Sequence, residues 1–218
     1  EDYSFTMLTG AADYAAECNG QCSRFGVEAD SEELMHLLRD VTRSPLQHSD
    51  KQKVFSLAEL DNRDVLKEMP FYFHLREEST ERINELLRFS AVVQPIQERM
   101  LKGYLTGFID LVCRHRGKYY VMDYKTNYLG PHLSDYSPDR LVSAMYDHNY
   151  GLQYWIYTLV LHRYLLATLP GYTYEDDFGG VYYLFARGMS PEIPGNGLFF
   201  DRPALTVLDT LYNCLGAK

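Results

Sequence analysis

Residues 107–130 read GFIDLVCRHRGKYYVMDYKTNYLG, two runs of aliphatic, β-branched and aromatic residues that meet at Arg116-Gly117. Such runs on either side of a Gly-containing dipeptide predict a β-hairpin closed by a two-residue turn, because Gly accepts the positive φ that the turn requires. Counting outward from that turn, Val112 faces Val121 and Asp110 faces Asp123. Side chains alternate along a strand, so Asp123 and Lys125 leave β-structure from the same face. Directly opposed residues bring their Cβ atoms to about 4.5–5.5 Å, so two carboxylates converge with a lysine one pleat further on. The register matters, since a slip of one residue sends Asp110 to the other face.

Ionisable groups among Phe108, Ile109, Leu111, Val121 and Met122 need partners, because burying an unpaired charge is costly. Two bare carboxylates side by side repel, and one has to keep its proton. A divalent cation removes that conflict, and hard oxygen ligands suit Mg²⁺ or Mn²⁺. Such an ion activates water and polarises a phosphoryl oxygen, with Lys125 placed to orient the water or offset negative charge. The same residues also permit a structural salt bridge between Lys125 and either aspartate on a solvated hairpin face. Spacing leaves both readings open.

The chain has 218 residues, 46% of them hydrophobic and 14% aromatic, enough for one large globular domain. It contains no apolar run of about 18 residues and no charged-then-apolar leader, so neither a membrane span nor a secretion signal is expected. The formal charge of −9 lowers the expectation of a generally basic nucleic-acid surface. A local groove, a metal or partners that deliver the strand remain compatible with an acidic domain. Of the four cysteines, Cys18 and Cys22 in CNGQC are spaced like half a metal site, but no second close pair completes it. Free thiols in a reducing cytosol are the simpler reading.

Along the chain, SEELMHLLRDVT carries Leu34, Leu37, Leu38 and Val41 at helical spacing. RSPLQHSDKQ reads as a loop, MPFYFHL as a strand and STERINELLRFSAVV as a further helical turn or two. After the hairpin, NYLGPHLSDYSPD is a turn-rich connection. Arg140 to Leu169 is helical, with Gly151 marking a bend or a join, because Gly costs roughly 1 kcal/mol inside a helix. GGVYYLFARGM reads as a strand and ALTVLDTLYNCL as a closing amphipathic helix. Strands flanked on both sides by helices predict an α/β or α+β domain around a central mixed sheet.

The hairpin, followed in order by YGLQYWIYTLVLHRYL and FGGVYYLFARGM, closely resembles the RecB-type nuclease domains of the PD-(D/E)xK superfamily. The likeness runs from about Lys67 onward and includes G-x-x-D at Gly107–Asp110, D-x-K at Asp123–Lys125 and Q-x-x-x-Y at Gln153–Tyr157. It implies a restriction-endonuclease-like core over residues 66–218, preceded by a helical part over residues 1–65. Asp110, Asp123 and the backbone carbonyl of Tyr124 would be metal ligands, for Mg²⁺ with Mn²⁺ or Ca²⁺ as substitutes, and Lys125 the catalytic lysine. Gln153 and Tyr157, four apart on one helix face, would contact nucleic acid. Without the resemblance, Tyr157 reads as core packing. Glu68, just before a strand, corresponds to a recurring acidic residue that positions the metal or a water, or else is an ordinary surface glutamate.

The resemblance further implies a DNA exonuclease of the exodeoxyribonuclease V type, bacterial, cytoplasmic and nucleoid-associated, active in double-strand-break repair, recombination and foreign-DNA degradation. Duplex ends and unwound single strands would be its substrates, and RecC- and RecD-type subunits its partners. The family's helical G-x-x-x-H element is not visible, and His36 in ELMHLL lacks that context, so the element is expected upstream of EDYSF. The clustered late cysteines of iron–sulfur relatives are absent, so no iron–sulfur cluster is expected. No G-x-x-x-x-G-K-[ST] occurs either, which leaves ATP use to a helicase part elsewhere. A nuclease-like docking or regulatory module without cleavage activity is the alternative.

Overall fold

The computed structural model describes residues 4–5, 14–28, 30–47, 53–75, 80–88, 90–95 and 103–215. Helices α1 (Ala15–Phe25) and α2 (Ser31–Arg43) come first, then a short pair of strands, β1 (Leu46–Gln47) and β2 (Lys53–Phe55). The main sheet uses β3 (Val65–Leu75), β4 (Gly103–His115), β5 (Lys118–Lys125), β6 (Phe178–Phe185) and β7 (Leu198–Asp201). Its helices are α3 (Thr80–Leu87), α4 (Pro138–Asp147), α5 (Tyr150–Thr168), the single turn α6 (Tyr174–Asp177) and α7 (Leu205–Leu215).

The sheet order is β3-β4-β5-β6-β7. The β5–β6 pair is parallel and the other pairs are antiparallel, which makes it the expected mixed sheet. Joining two parallel neighbours requires a long crossover, and α4, α5 and α6 supply it. The hairpin closes at Arg116 (φ 49°) and Gly117 (φ 82°), so both turn residues are left-handed, as a type I′ turn demands. From there the pairs His115–Lys118 to Leu111–Met122 follow the expected register.

Period-two alternation divides the sheet's side chains between two apolar clusters. Val121, Val181, Tyr183 and Phe185 pack beneath α3, α4, α5 and α7. Tyr120, Met122, Tyr182 and Leu184 pack on the opposite face with Val41 of α2, Leu46 of β1 and Phe55 of β2. Strand β6 is buried at every position, as a strand covered by both layers should be. Helix α5 is likewise buried almost all round, from Tyr154 to Leu159 without a break.

Several elements depart from the sequence-based expectation. The predicted loop RSPLQHSDKQ contains β1, and its residues 48–52 lie outside the described residues. Strand β7, only four residues long, and helix α1 carry too weak a pattern to be read in advance. The join in the long helical stretch falls at Asn149 (φ 54°), two residues before Gly151. Among the described residues, no helix is long and apolar enough to cross a membrane.

His162 on α5 is 4% exposed, and its Nδ1 lies 3.2 Å from the Tyr172 hydroxyl. Burial, the largest influence, moves its proton affinity below the ordinary imidazole range; Asp209 opposes this and Arg163 reinforces it. A depressed folded pKa means that the unfolded chain takes up the proton first. This stabilisation is therefore complete above about pH 6.5 and is lost as pH falls towards the folded pKa. His162→Gln, which keeps a partner for Tyr172 but cannot titrate, should flatten the loss of urea stability between about pH 7 and 5. An unchanged pH profile in that variant would remove His162 from the acid response.

Candidate active site

The candidate site lies where β3, β4 and β5 stop pairing regularly. Lys67–Leu111 and Met69–Ile109 are paired, but Glu68 and Asp110 between them are not. Glu68 has φ 52°, a left-handed conformation in mid-strand that costs on the order of 1–3 kcal/mol for a residue with a Cβ. Its effect on the faces is visible in the packing. Val65 and Leu111 belong to the cluster on the α2 side, whereas Met69 and Ile109 belong to the α5 side. On both strands, two consecutive residues, Lys67-Glu68 and Asp110-Leu111, turn to the same cavity. The alternation thus breaks at one level on both strands, and the register on either side is preserved.

That cavity of about 490 Å³ has an apolar wall from Leu34, Leu37 and Val41 of α2, and a floor that includes Glu68, Asp110 and Tyr124. The β4–β5 ladder ends one step short of the expected Asp110–Asp123 pair. Asp110 Oδ2 instead accepts a hydrogen bond of 3.0 Å from the backbone N–H of Tyr124. The two aspartates are therefore neighbours through the Tyr124 peptide rather than as a facing pair.

Asp123 is 2% exposed. Its Oδ2 stands 2.5 Å from Lys125 Nζ, and among the described residues no donor meets that oxygen in hydrogen-bond geometry. Burial pushes its carboxyl up to about 6, and the charge of Asp110 adds to this, although Lys125 pulls the other way. The predicted salt bridge exists, but its partners are 2% and 11% exposed, so the solvated-face reading does not apply. Lys125 Nζ also donates to Gln153 Oε1 at 3.1 Å.

Gln153 and Tyr157 do share one face of α5: Gln153 Nε2 donates to the Tyr157 hydroxyl at 2.7 Å. Tyr157 is 6% exposed and meets Phe71 edge-on at 5.5 Å, so its ring is core packing, while its hydroxyl joins the site. Burial raises that hydroxyl's pKa to about 12. Glu68 is exposed and lines the cavity. His36 is exposed on α2 and pairs with Asp40 at 3.1 Å, away from the site as expected. Two residues that sequence reasoning missed complete the surroundings of Lys125, namely Tyr150 and Tyr183, whose ring centroids lie 4.0 and 5.0 Å from its Nζ. The spacing of Tyr150 three before Gln153 on one helix was the available signal for the first; β6 offered none for the second.

The residues present suit a hard cation. Asp123 carries a buried carboxylate oxygen that among the described residues meets no aligned donor and has the Lys125 ammonium beside it, and Asp110 sits across a single peptide from it. Among the described residues no group of three or more His, Cys, Asp or Glu is gathered for a metal. Cys18, Cys22, Cys113 and Cys214 are free thiols.

A mixed sheet whose broken ladder presents D…D-x-K is the arrangement of a metal-dependent nuclease core, and the PD-(D/E)XK nuclease superfamily matches residues 20–198. The chain belongs to that superfamily, whose nucleases generally use divalent metal ions. Its sequence is 43% identical over 187 residues to the RecBCD enzyme subunit RecB of Haemophilus influenzae, covering 84% of this chain and 15% of that protein. It is 44% identical over 153 residues to RecB of Escherichia coli, covering 68% and 13% respectively. RecB of Mycolicibacterium smegmatis is 32% identical over 239 residues, covering 95% of this chain and 22% of that protein. The chain thus spans under a quarter of the length of these relatives, and its RecB-type resemblance is confirmed.

Proposed function

We propose that the chain is the DNA-hydrolysing domain of a RecBCD-type helicase–nuclease, cutting phosphodiester bonds with metal-activated water and no covalent intermediate. The observation that carries this reading is the buried Asp123–Lys125 pair with Asp110 bonded across the intervening backbone. Asp110, Asp123 and the Tyr124 carbonyl are the proposed ligands, for Mg²⁺ in the cell and Mn²⁺ or Ca²⁺ in its place. A bound divalent ion there supplies Lewis-acid polarisation of the phosphoryl oxygen and lowers the pKa of a water.

The chain's own residues do the rest. Lys125 holds its ammonium at the edge of the carboxylates, where it orients the attacking water and offsets negative charge on the transferring phosphoryl group. Glu68, opposite Asp110 on the exposed side, positions a water or the ion. Gln153 and Tyr157 stand behind Lys125 and steady it. The apolar cover from α5 and β6 strengthens each of these charge interactions by excluding water. DNA fed by RecC- and RecD-type subunits accounts for an acidic domain without a general basic surface.

Asp110→Asn is the informative variant, because it keeps an oxygen acceptor for the Tyr124 N–H while removing the charge. In the intact protein it should weaken calorimetric Mg²⁺ or Mn²⁺ binding by at least about tenfold, along with cleavage of a labelled oligodeoxynucleotide. Cleavage that survives both the substitution and a chelator would rule out a metal at this position.

A further inference from the structure

Lysine is a flexible four-carbon stem that ends in a strongly hydrated ammonium with three N–H donors. At 11% exposure most of the hydration of Lys125 is gone. Two oxygens replace part of it, Asp123 Oδ2 and Gln153 Oε1. Two ring faces also lie against the ammonium, Tyr150 at 4.0 Å and Tyr183 at 5.0 Å. A ring face attracts a cation without carrying a charge that would neutralise it.

Both rings are themselves held. The Tyr150 hydroxyl donates to Asn127 Oδ1 at 3.1 Å, and its ring stacks on His148 at 5.3 Å. Tyr183 is fully buried, with Tyr154 edge-on at 6.2 Å. Its hydroxyl donates to Gln153 Oε1 at 2.9 Å, the oxygen that also accepts from Lys125. Two donors on Oε1 determine which end of the amide faces the lysine and leave Nε2 for Tyr157.

We infer that Tyr150 and Tyr183 are positioning residues that, through their ring faces and the Gln153 amide, hold the Lys125 ammonium against Asp123 for phosphodiester hydrolysis. This rests on the reading of Lys125 as the catalytic lysine. Neither tyrosine touches the reacting atoms; each acts through Lys125. A phosphodiester contacts the cage only through the ammonium, so its loss lowers turnover and leaves substrate affinity in place.

The test is steady-state cleavage of a 5′-labelled single-stranded oligodeoxynucleotide with Mg²⁺ by the intact protein, with the thermal midpoint read alongside. Tyr150→Leu removes the ring face, and kcat should fall about 10-fold while KM stays within about twofold. Tyr150→Phe retains the face and should restore kcat to within about threefold of the native protein. Tyr183→Phe keeps the ring but frees the Gln153 amide, with an expected loss in kcat of about fivefold. It also serves as the readout if the leucine variant does not fold. Equal losses in Tyr150→Leu and Tyr150→Phe, or an undiminished kcat in Tyr150→Leu or Tyr183→Phe, overturn the inference. Lys125→Met separates the two levels. If it is dead while the tyrosine variants are fully active, the cage alone is wrong; if it cleaves normally, the site reading falls and the inference with it.

Discussion

Asp123→Ala should lower metal-dependent DNA cleavage by the intact protein about 10²- to 10³-fold, the usual cost of removing one preorganised charge-stabilising group. The substitution removes the proposed metal ligand and the anion against which Lys125 is held. Two effects on stability compete. Burial has raised the carboxyl's pKa to about 6, so its charge disfavours folding at neutral pH. Removing it, however, leaves the Lys125 ammonium, 11% exposed, beside Gln153 and two rings without its counter-charge, and breaking a buried pair from one side typically costs about 3–5 kcal/mol. The expected result is therefore a lower thermal midpoint together with very weak activity. Full cleavage by this variant, measured on the same labelled oligodeoxynucleotide, would show that hydrolysis takes place elsewhere.

Gly151→Ala should destabilise the protein by about 2 kcal/mol or more, read as a lower urea midpoint with an unchanged m-value. Two effects compete at this residue. Ala is the better helix former by about 1 kcal/mol, and Gly151 lies in the first turn of α5. A Cβ there, however, would stand 2.1 Å from the carbonyl oxygen of Val92 and 2.7 Å from Val93 Cγ2. The first obstacle is backbone, which cannot rotate away as a side chain can, so α5 or residues 90–95 must shift at about 1–3 kcal/mol or more. Sterics outweigh propensity. The same shift would carry Gln153, two residues on, away from Lys125, so cleavage should fall with stability. A gain of about 1 kcal/mol instead would mean that α5 does not approach residues 90–95 so closely.

These two residues differ in how far the sequence revealed them. Asp123 was readable because D-x-K sits in a hairpin whose two-residue turn sets every pair out to Leu111–Met122. Gly151 was readable as a glycine within a helical pattern, but its reason was not. The chain breaks at Asn149, and Gly151 is required by the approach of a segment some 60 residues earlier in sequence. Likewise the helical spacing of Gln153 and Tyr157 was evident, whereas their contacts with Tyr183 and Phe71 depend on how α5 lies across the sheet.

Local physics written into neighbouring residues determined the hairpin and its register, the helices with a clear 3.6-residue period, the mixed-sheet class and the membership in a nuclease superfamily. These depend on turn chemistry and on patterns that repeat within a few residues. Tertiary structure alone decided the rest. Glu68 takes a left-handed backbone and lines one cavity with Asp110 and α2, the burial of Asp123 raises its proton affinity, and Tyr150 and Tyr183 lie against Lys125. Each of these is a property of solvent exclusion and distance between elements remote in sequence, and neither quantity exists until the helices have packed onto the sheet.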